Sequence, residues 1–186
     1  LHRLYQEIDG NEAFSPGEDL WNVAVYTMQE TELSERLSLQ VGARLEREWL
    51  EGVENRFFDT DGLIDEKVWN IAASLGLNYL LNEEWSAGLQ LARGHRNPTV
   101  LERAADGWHA GATRVELGTP GLSPEIGYGM DFFTRYEGTQ SSLQLNLFYV
   151  RIDDYVVLEQ LAADCGGINY RERADRENPN CIRYSG

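Results

Sequence analysis

Long apolar runs are absent from this 186-residue sequence, although 42% of its residues are hydrophobic. No stretch approaches the ~20 consecutive apolar residues that a membrane-spanning helix needs. The first residues, Leu1–Tyr5, lack the apolar segment of a secretory signal, and Leu1 is not an initiator. The chain is therefore either a soluble protein or an internal piece of a longer precursor, and membrane strands stay open because their hydropathy signal is weak.

Basic residues are also scarce, and the net charge is −15. A chain this acidic is repelled by phosphate backbones, which argues against a nucleic-acid partner. The sequence contains no Gly-x-Ser-x-Gly, Walker loop, His-Glu-x-x-His or Cys-x-x-Cys pattern, so it does not predict an enzyme. The three histidines are scattered (His2, His95 and His109), and we expect neither a metal site nor a cofactor.

What the sequence does contain is regular alternation of apolar and polar residues, which predicts half-buried or lipid-facing β-strands. Arg36–Trp49 alternates most cleanly, with Leu37, Leu39, Val41, Ala43 and Leu45 on one face. Six such strands are predicted: Leu20–Glu30, Arg36–Trp49, Lys67–Leu80, Trp85–Arg93, Glu125–Tyr136 and Ser142–Tyr155. The segment Glu30–Ser34 is predicted as the first short turn.

The connections between these strands alternate strictly in length. They are short near Thr31, Leu81 and Gly138, and long at Leu50–Glu66, His95–Pro124 and after Glu159. Short turns at one end and long loops at the other are typical of outer-membrane barrels. We therefore predict an all-β, antiparallel, up-and-down transmembrane β-barrel with short periplasmic turns and long extracellular loops. A soluble β-sandwich would show the same strand patterning, with its apolar faces buried.

Six strands are too few to close a membrane barrel, which needs at least about eight. An open sheet would leave unpaired backbone groups in lipid at several kcal/mol each. We therefore expect 1–186 to be part of one barrel domain. Within it we assign 1–19 to a loop or preceding strand, 20–156 to the six strands, and 157–186 to an extracellular loop.

The segment 91–125 contains two ordered blocks of residues between two strands. The first is Ala92-Arg93-Gly94, Arg96, Pro98-Thr99 and Glu102, and the second is His109-Ala110, Ala112-Thr113, Glu116-Leu117-Gly118, Pro120, Leu122 and Pro124-Glu125. In type and spacing they resemble the barrel of TonB-dependent outer-membrane receptors. His95, Asn97 and Ser123 depart from the usual aromatic, Ala and Lys without changing the spacing.

The resemblance implies active uptake of a scarce nutrient, such as a ferric siderophore, haem, cobalamin or a metal ion, across the Gram-negative outer membrane. Its partners would be an extracellular ligand, outer-membrane lipid, and TonB through an N-terminal plug absent from this chain. Rival interpretations are a passive porin or enzymatic outer-membrane barrel, and a soluble β-sandwich binding module. The ligand itself is beyond the sequence.

Candidate site residues follow from the two blocks. A structural role is predicted for Arg93, Gly94, Pro98, Glu102, Glu116, Gly118, Pro120, Pro124 and Glu125, whose charged members could pair across strand ends. His109 and Arg96 are candidates for ligand contact. Cys165 and Cys181 are predicted to form a disulfide outside the cytoplasm, which would contribute roughly 3 kcal/mol for a loop of this length.

Overall fold

A computed structural model describes residues 1–7, 15–53, 64–161 and 181–186. Its main element is one sheet in which six long strands confirm the alternating segments of the sequence. A short strand at the N-terminal edge pairs with the first of them. These strands are β1 (His2–Gln6), β2 (Gly17–Ser34), β3 (Leu37–Val53), β4 (Asp65–Leu80), β5 (Trp85–Arg96), β8 (Glu125–Glu137) and β9 (Ser142–Asp153).

The sheet has the order β1-β2-β3-β4-β5-β8-β9, and every neighbouring pair is antiparallel. Each strand pairs with the next one along the chain, except where the segment 97–124 leaves the sheet between β5 and β8. Within the described residues β1 and β9 do not pair with each other, so the sheet is open. The prediction of a partial, up-and-down antiparallel barrel is confirmed.

One predicted turn was wrong. Glu30–Ser34 was expected to break the first pair of strands, but it continues β2 in ladder with β3, where Thr31 lies opposite Leu39. The turn is formed by residues 35–36, next to a register shift between Glu32 and Ser34. The polar composition was misleading because alternate residues of a strand can face a wet space, so Glu30 and Glu32 do not interrupt the ladder.

The apolar side chains of the long strands share one face, here called the apolar face and marked by Leu39, Leu75, Leu89 and Leu145. Leu75 is 39% exposed and Leu145 is 50% exposed, while Leu39 and Leu89 are half-buried. Neither a second sheet nor a helix covers these four residues in the described part of the chain. A soluble sandwich would bury them, and this arrangement therefore argues against it.

The buried residues lie instead at the long-loop end. The segment between β5 and β8 is not irregular throughout, because it forms α1 (Val100–Ala104), β6 (Asp106–His109), a 3₁₀ turn (Ala110–Ala112) and β7 (Arg114–Leu117). After β9 the chain forms β10 (Val157–Gln160) and β11 (Cys181–Ser185), within a region predicted as a loop. In the described ranges, no helix is both long and apolar enough to cross a bilayer.

These short elements form a second sheet with the order β10-β11-β7-β6, in which β11 and β7 are parallel. Its core consists of Val115, Leu117 and Cys181, packed by Trp108 and Leu161. A separate cluster of Leu50, Ile64 and Val100 fixes α1 against the end of β3. The packed core of the chain therefore lies where the loops meet the sheet.

Candidate functional site

The ends of β5 and β8 are joined by a charged cluster that we call the strand-end junction: Arg96, Thr99, Glu102 and Glu125. The Arg96 guanidinium donates to both carboxylate oxygens of Glu125, with Nε–Oε2 at 2.8 Å and Nη2–Oε1 at 2.6 Å. Its Nη1 donates to Glu102 Oε2 at 2.8 Å. Glu125 is buried and also accepts from the backbone N–H of Val156 at 2.8 Å. A bidentate pair of this kind restricts orientation as well as distance.

Glu102 links this cluster to the start of α1. Thr99 is the N-cap, and its side chain accepts from the Glu102 N–H, while the Glu102 carboxylate accepts from the Thr99 N–H at 2.8 Å. This capping box satisfies backbone donors that a helix start leaves unpaired. Burial acts to raise the pKa of Glu102, but hydrogen bonds from Arg96 and Thr99 outweigh it and hold that pKa below its ordinary value.

A second cluster surrounds Glu116 in β7, which is 1% exposed. Its Oε1 lies 3.0 Å from His109 Nδ1 and 2.9 Å from Arg114 Nε, and its Oε2 accepts from the Tyr184 hydroxyl at 3.0 Å. Burial would raise the pKa of Glu116, but these three contacts lower it below its ordinary value. Burial and the same carboxylate raise the pKa of Tyr184 to about 12.

Gly118 marks a close approach between β7 and α1. A Cβ at this position would lie 2.4 Å from the Ala104 nitrogen and 2.6 Å from the Arg103 carbonyl oxygen. The Gly118 N–H donates to Ala105 O at 2.6 Å, and the next N–H, of Thr119, donates to Glu102 O at 3.0 Å. No other residue leaves enough room at this crossing.

The remaining motif residues lie around the same crossing. Pro98 is fully buried before α1, and its carbonyl accepts from Arg103 Nε at 3.4 Å. Pro120 is exposed and Pro124 is half-buried, on the turn that leads into β8. Gly94, in contrast, has open space where a Cβ would be.

Arg93 lies apart from the strand-end junction. It is on the apolar face of β5, and its Nη1 donates to the carbonyl of Ile71 in β4. Cys181 is buried in the core of the small sheet. Its predicted partner, Cys165, lies outside the described residues, and the disulfide therefore stays a prediction.

The polar face contributes a group that the sequence did not single out. Asn97 Nδ2 donates to Glu48 Oε1 at 2.7 Å, and His95 Nε2 lies 3.5 Å from Glu46 Oε1. Asn70 is buried beside them in the β3–β4 ladder, opposite Glu46. In the sequence, Asn97 and His95 stand out only as departures from the family pattern.

Arg103 was also missed. It is 4% exposed, and it donates to Glu66 Oε1 at 3.3 Å as well as to Pro98 O. The Thr99-x-x-Glu102 spacing would have indicated the helix start, and hence a buried face one turn later. No spacing could have indicated Tyr184 or Val156, because they lie 68 and 31 residues from their partners.

The charged groups of this arrangement fix distant segments of the chain to each other. Two buried carboxylates hold cations that join distant segments. In the described ranges, no group of three or more His, Cys, Asp or Glu residues could hold a metal ion. The strand-end junction connects α1 to the ends of β5 and β8, and the Glu116 cluster connects β7 to β11.

This combination defines a partial β-barrel with a structured cap of loops at one end. Residues 3–180 match the family described as TonB dependent receptor-like, beta-barrel. The match covers nearly the whole sequence, and the chain belongs to this family. The prediction from the two sequence blocks is confirmed.

Three solved structures that share this fold are two receptors and one transporter. A double mutant of the haemophore receptor HasR of Serratia marcescens, in complex with its hemophore HasA and heme, is similar over 96% of this chain (TM-score 0.71, 13% identity). The copper transporter OprC is similar over 92% (0.66, 13%). The ferric yersiniabactin uptake receptor FyuA of Yersinia pestis is similar over 76% (0.52, 20%).

The chain spans 31%, 24% and 21% of those three chains, in the same order. At these identities the likeness concerns the fold alone.

Proposed function

We propose that this chain forms part of the barrel of an outer-membrane receptor that imports a scarce nutrient and is energised through TonB. The observation that supports this most directly is the family match over residues 3–180. The exposed apolar face agrees with it, because aliphatic side chains on strands this long suit a lipid environment. On this proposal the small sheet and α1 lie on the extracellular side, and the short turns on the periplasmic side.

The ligand class proposed is a ferric siderophore, haem, cobalamin or a metal ion. The three similar structures are named for different cargoes, namely heme with its hemophore, copper, and ferric yersiniabactin. A shared fold therefore does not select among them. Selection would depend on exposed loop residues above the strand-end junction.

His109 is the better of the two candidate ligand contacts. Its side chain is 36% exposed, and its Nδ1 lies 3.0 Å from Glu116 Oε1. Arg96 is 43% exposed, but its guanidinium already holds two carboxylates. We therefore assign Arg96 to the junction and retain His109 as a ligand contact.

The test is uptake by the intact receptor in a Gram-negative host that lacks its own receptors for the panel. Cells are supplied with each ligand class in turn, with and without a functional TonB. Uptake of one class that disappears without TonB is the expected result. Equal uptake without TonB would indicate a passive pore and contradict the proposal.

A matched pair of variants separates the two candidates. His109→Ala should weaken ligand binding while the receptor stays folded. Arg96→Lys keeps the charge but loses the bidentate geometry, so it should loosen the loop and affect all ligands alike. Unchanged binding by His109→Ala would remove that residue from the ligand site.

A further inference from the structure

The apolar face carries two arginines near the long-loop end, on the two strands that flank β4. Arg47 in β3 lies opposite Trp69 in β4, and Arg93 in β5 lies opposite Ala73 in β4. The Arg47 guanidinium lies over the Trp69 ring at 5.2 Å from its centroid, and Arg93 donates to the carbonyl of Ile71. Both cations therefore lean from the flanking strands towards one stretch of β4, residues 69–71.

These two cations have no carboxylate partner within the described part of the chain. The other cations of the same face each have one: Arg3 pairs with Asp19 at 2.8 Å, Lys67 with Asp65 at 2.9 Å, and Arg151 with Asp153 at 2.7 Å. The ring contacts of Arg47 leave the N–H edge of its guanidinium available, and Arg93 uses one nitrogen only. Two guanidinium groups thus offer donors to an anion on an apolar surface.

The surroundings indicate what kind of anion fits. Trp69 is 62% exposed and Ile71 is 55% exposed, and Trp49 lies 5.7 Å from the Arg47 guanidinium. Towards the short turns, the apolar face has no charged residue in the six long strands. An Arg on a lipid-facing strand costs about 2–4 kcal/mol at the bilayer midplane and ~0–1 kcal/mol near its surface, so the two arginines mark the headgroup level.

We propose that Arg47 and Arg93, with Trp49 and Trp69, bind the phosphate group of an anionic membrane lipid. Arg donates in a fork that matches phosphate geometry, and the indole rings pack beside the upper part of the acyl chains. The site lies on the opposite face of the sheet from the polar interior, so it is independent of the nutrient path. The proposal rests on the membrane location given under Proposed function.

The test uses the intact receptor, purified in a neutral detergent and mixed with equal amounts of phosphatidylglycerol and phosphatidylcholine of the same acyl chains. Retained lipid is measured by native mass spectrometry. Arg47→Gln/Arg93→Gln is compared with Arg36→Gln/Arg135→Gln, which removes two positive charges near the short turns. We expect the wild type and the control to prefer phosphatidylglycerol, and the first variant to lose about fivefold in preference per arginine.

Equal preference in the wild type and in Arg47→Gln/Arg93→Gln would overturn the site. Displacement of the lipid by excess inorganic phosphate would show a free-anion site and overturn the lipid assignment. Should the glutamine variant fail to fold, as judged by heat-modifiable gel mobility, Arg47→Lys/Arg93→Lys keeps the charges and must retain part of the preference. A receptor absent from the outer-membrane fraction would contradict the proposed function instead, before any lipid is measured.

Discussion

At the scale of single residues, Arg96 is the side chain on which the strand-end junction depends. It is the charged partner of buried Glu125 and also holds Glu102, which caps α1. Arg96→Ala should cost about 3 kcal/mol, since it leaves a buried carboxylate without its cation. Hydrogen exchange should show faster exchange in α1 and at the start of β8.

The matched control for that change is Arg135→Ala. Arg135 pairs with Glu137 at 3.4 Å, and both side chains are more than half exposed. Removing such a pair should cost ~0–1 kcal/mol. Equal exchange in the two variants would mean that the junction does not hold the loop.

Glu116 predicts how the small sheet responds to acid. Its pKa is lower in the folded state than in the unfolded chain, so its contribution to stability is present above its ordinary pKa and is lost as pH falls through the lowered value. The protection of the amides of residues 114–117, taken relative to the intrinsic exchange rate at each pH, should therefore decrease below about pH 4.5.

The variant that tests this explanation is Glu116→Gln. It should show fast exchange at neutral pH, because the buried position then offers Arg114 and Tyr184 a neutral partner. The loss of amide protection in acid should also disappear in this variant. A loss of protection in acid that persists in Glu116→Gln would assign the effect to another carboxyl group.

At the scale of elements, the crossing of α1 and β7 sets the geometry of the loop cap. Gly118→Ala should push the two apart, because a Cβ would meet backbone atoms of Arg103 and Ala104 at 2.4 Å. We expect a loss of about 2 kcal/mol or more, the range of overpacking in a fixed core. Limited proteolysis within the segment 97–124 is a direct measurement.

Gly94→Ala provides the control, because both glycines belong to the same motif and Gly94 faces open space. It should be neutral or slightly stabilising, as Gly→Ala is where the backbone tolerates a side chain. Equal sensitivity of the two variants to protease would contradict the packing argument.

The sequence predicts the long strands well and the loop cap poorly, for a physical reason. β3 and β4 alternate over more than a dozen residues, and a period of two over that length is hard to imitate. β7 and β11 have only four and five residues, and they pair in parallel although they are far apart in the sequence. Their pairing is decided by tertiary packing around Val115, which no local pattern encodes.

The residues of the candidate site also differ in whether a local sequence pattern predicts them. Arg96, Glu102 and Glu125 could be proposed as partners because they close off one loop and lie at predicted strand ends. A structural role was predicted for Glu116, but the hydrogen bond that it accepts from the Tyr184 hydroxyl could not be predicted. Long-range contacts of this kind depend on the tertiary structure, and the spacing of residues in the sequence does not predict them.

At the scale of the whole molecule, the open sheet makes the isolated chain dependent on amphiphiles. Its edge strands β1 and β9 are unpaired on one side within the described residues, and its apolar face is exposed. Produced without detergent, it should aggregate rather than form a monodisperse monomer, because unpaired edges and apolar patches favour association. Size-exclusion chromatography with and without detergent is the measurement.

A monodisperse chain that unfolds cooperatively in plain buffer would contradict this. Such a result would favour the soluble sandwich that the strand pattern alone left open. The two outcomes exclude each other, because the soluble sandwich requires the residues of the apolar face to be buried.

The parallel seam between β7 and β11 also bears on engineering and on natural exchange. Two stretches that are far apart in the chain share one ladder, with Glu116 opposite Ile182. A chimaera that takes only one of these two strands from a relative would contain a strand without its native pairing partner. A functional exchange between relatives at this end of the barrel should therefore require that both strands are transferred together.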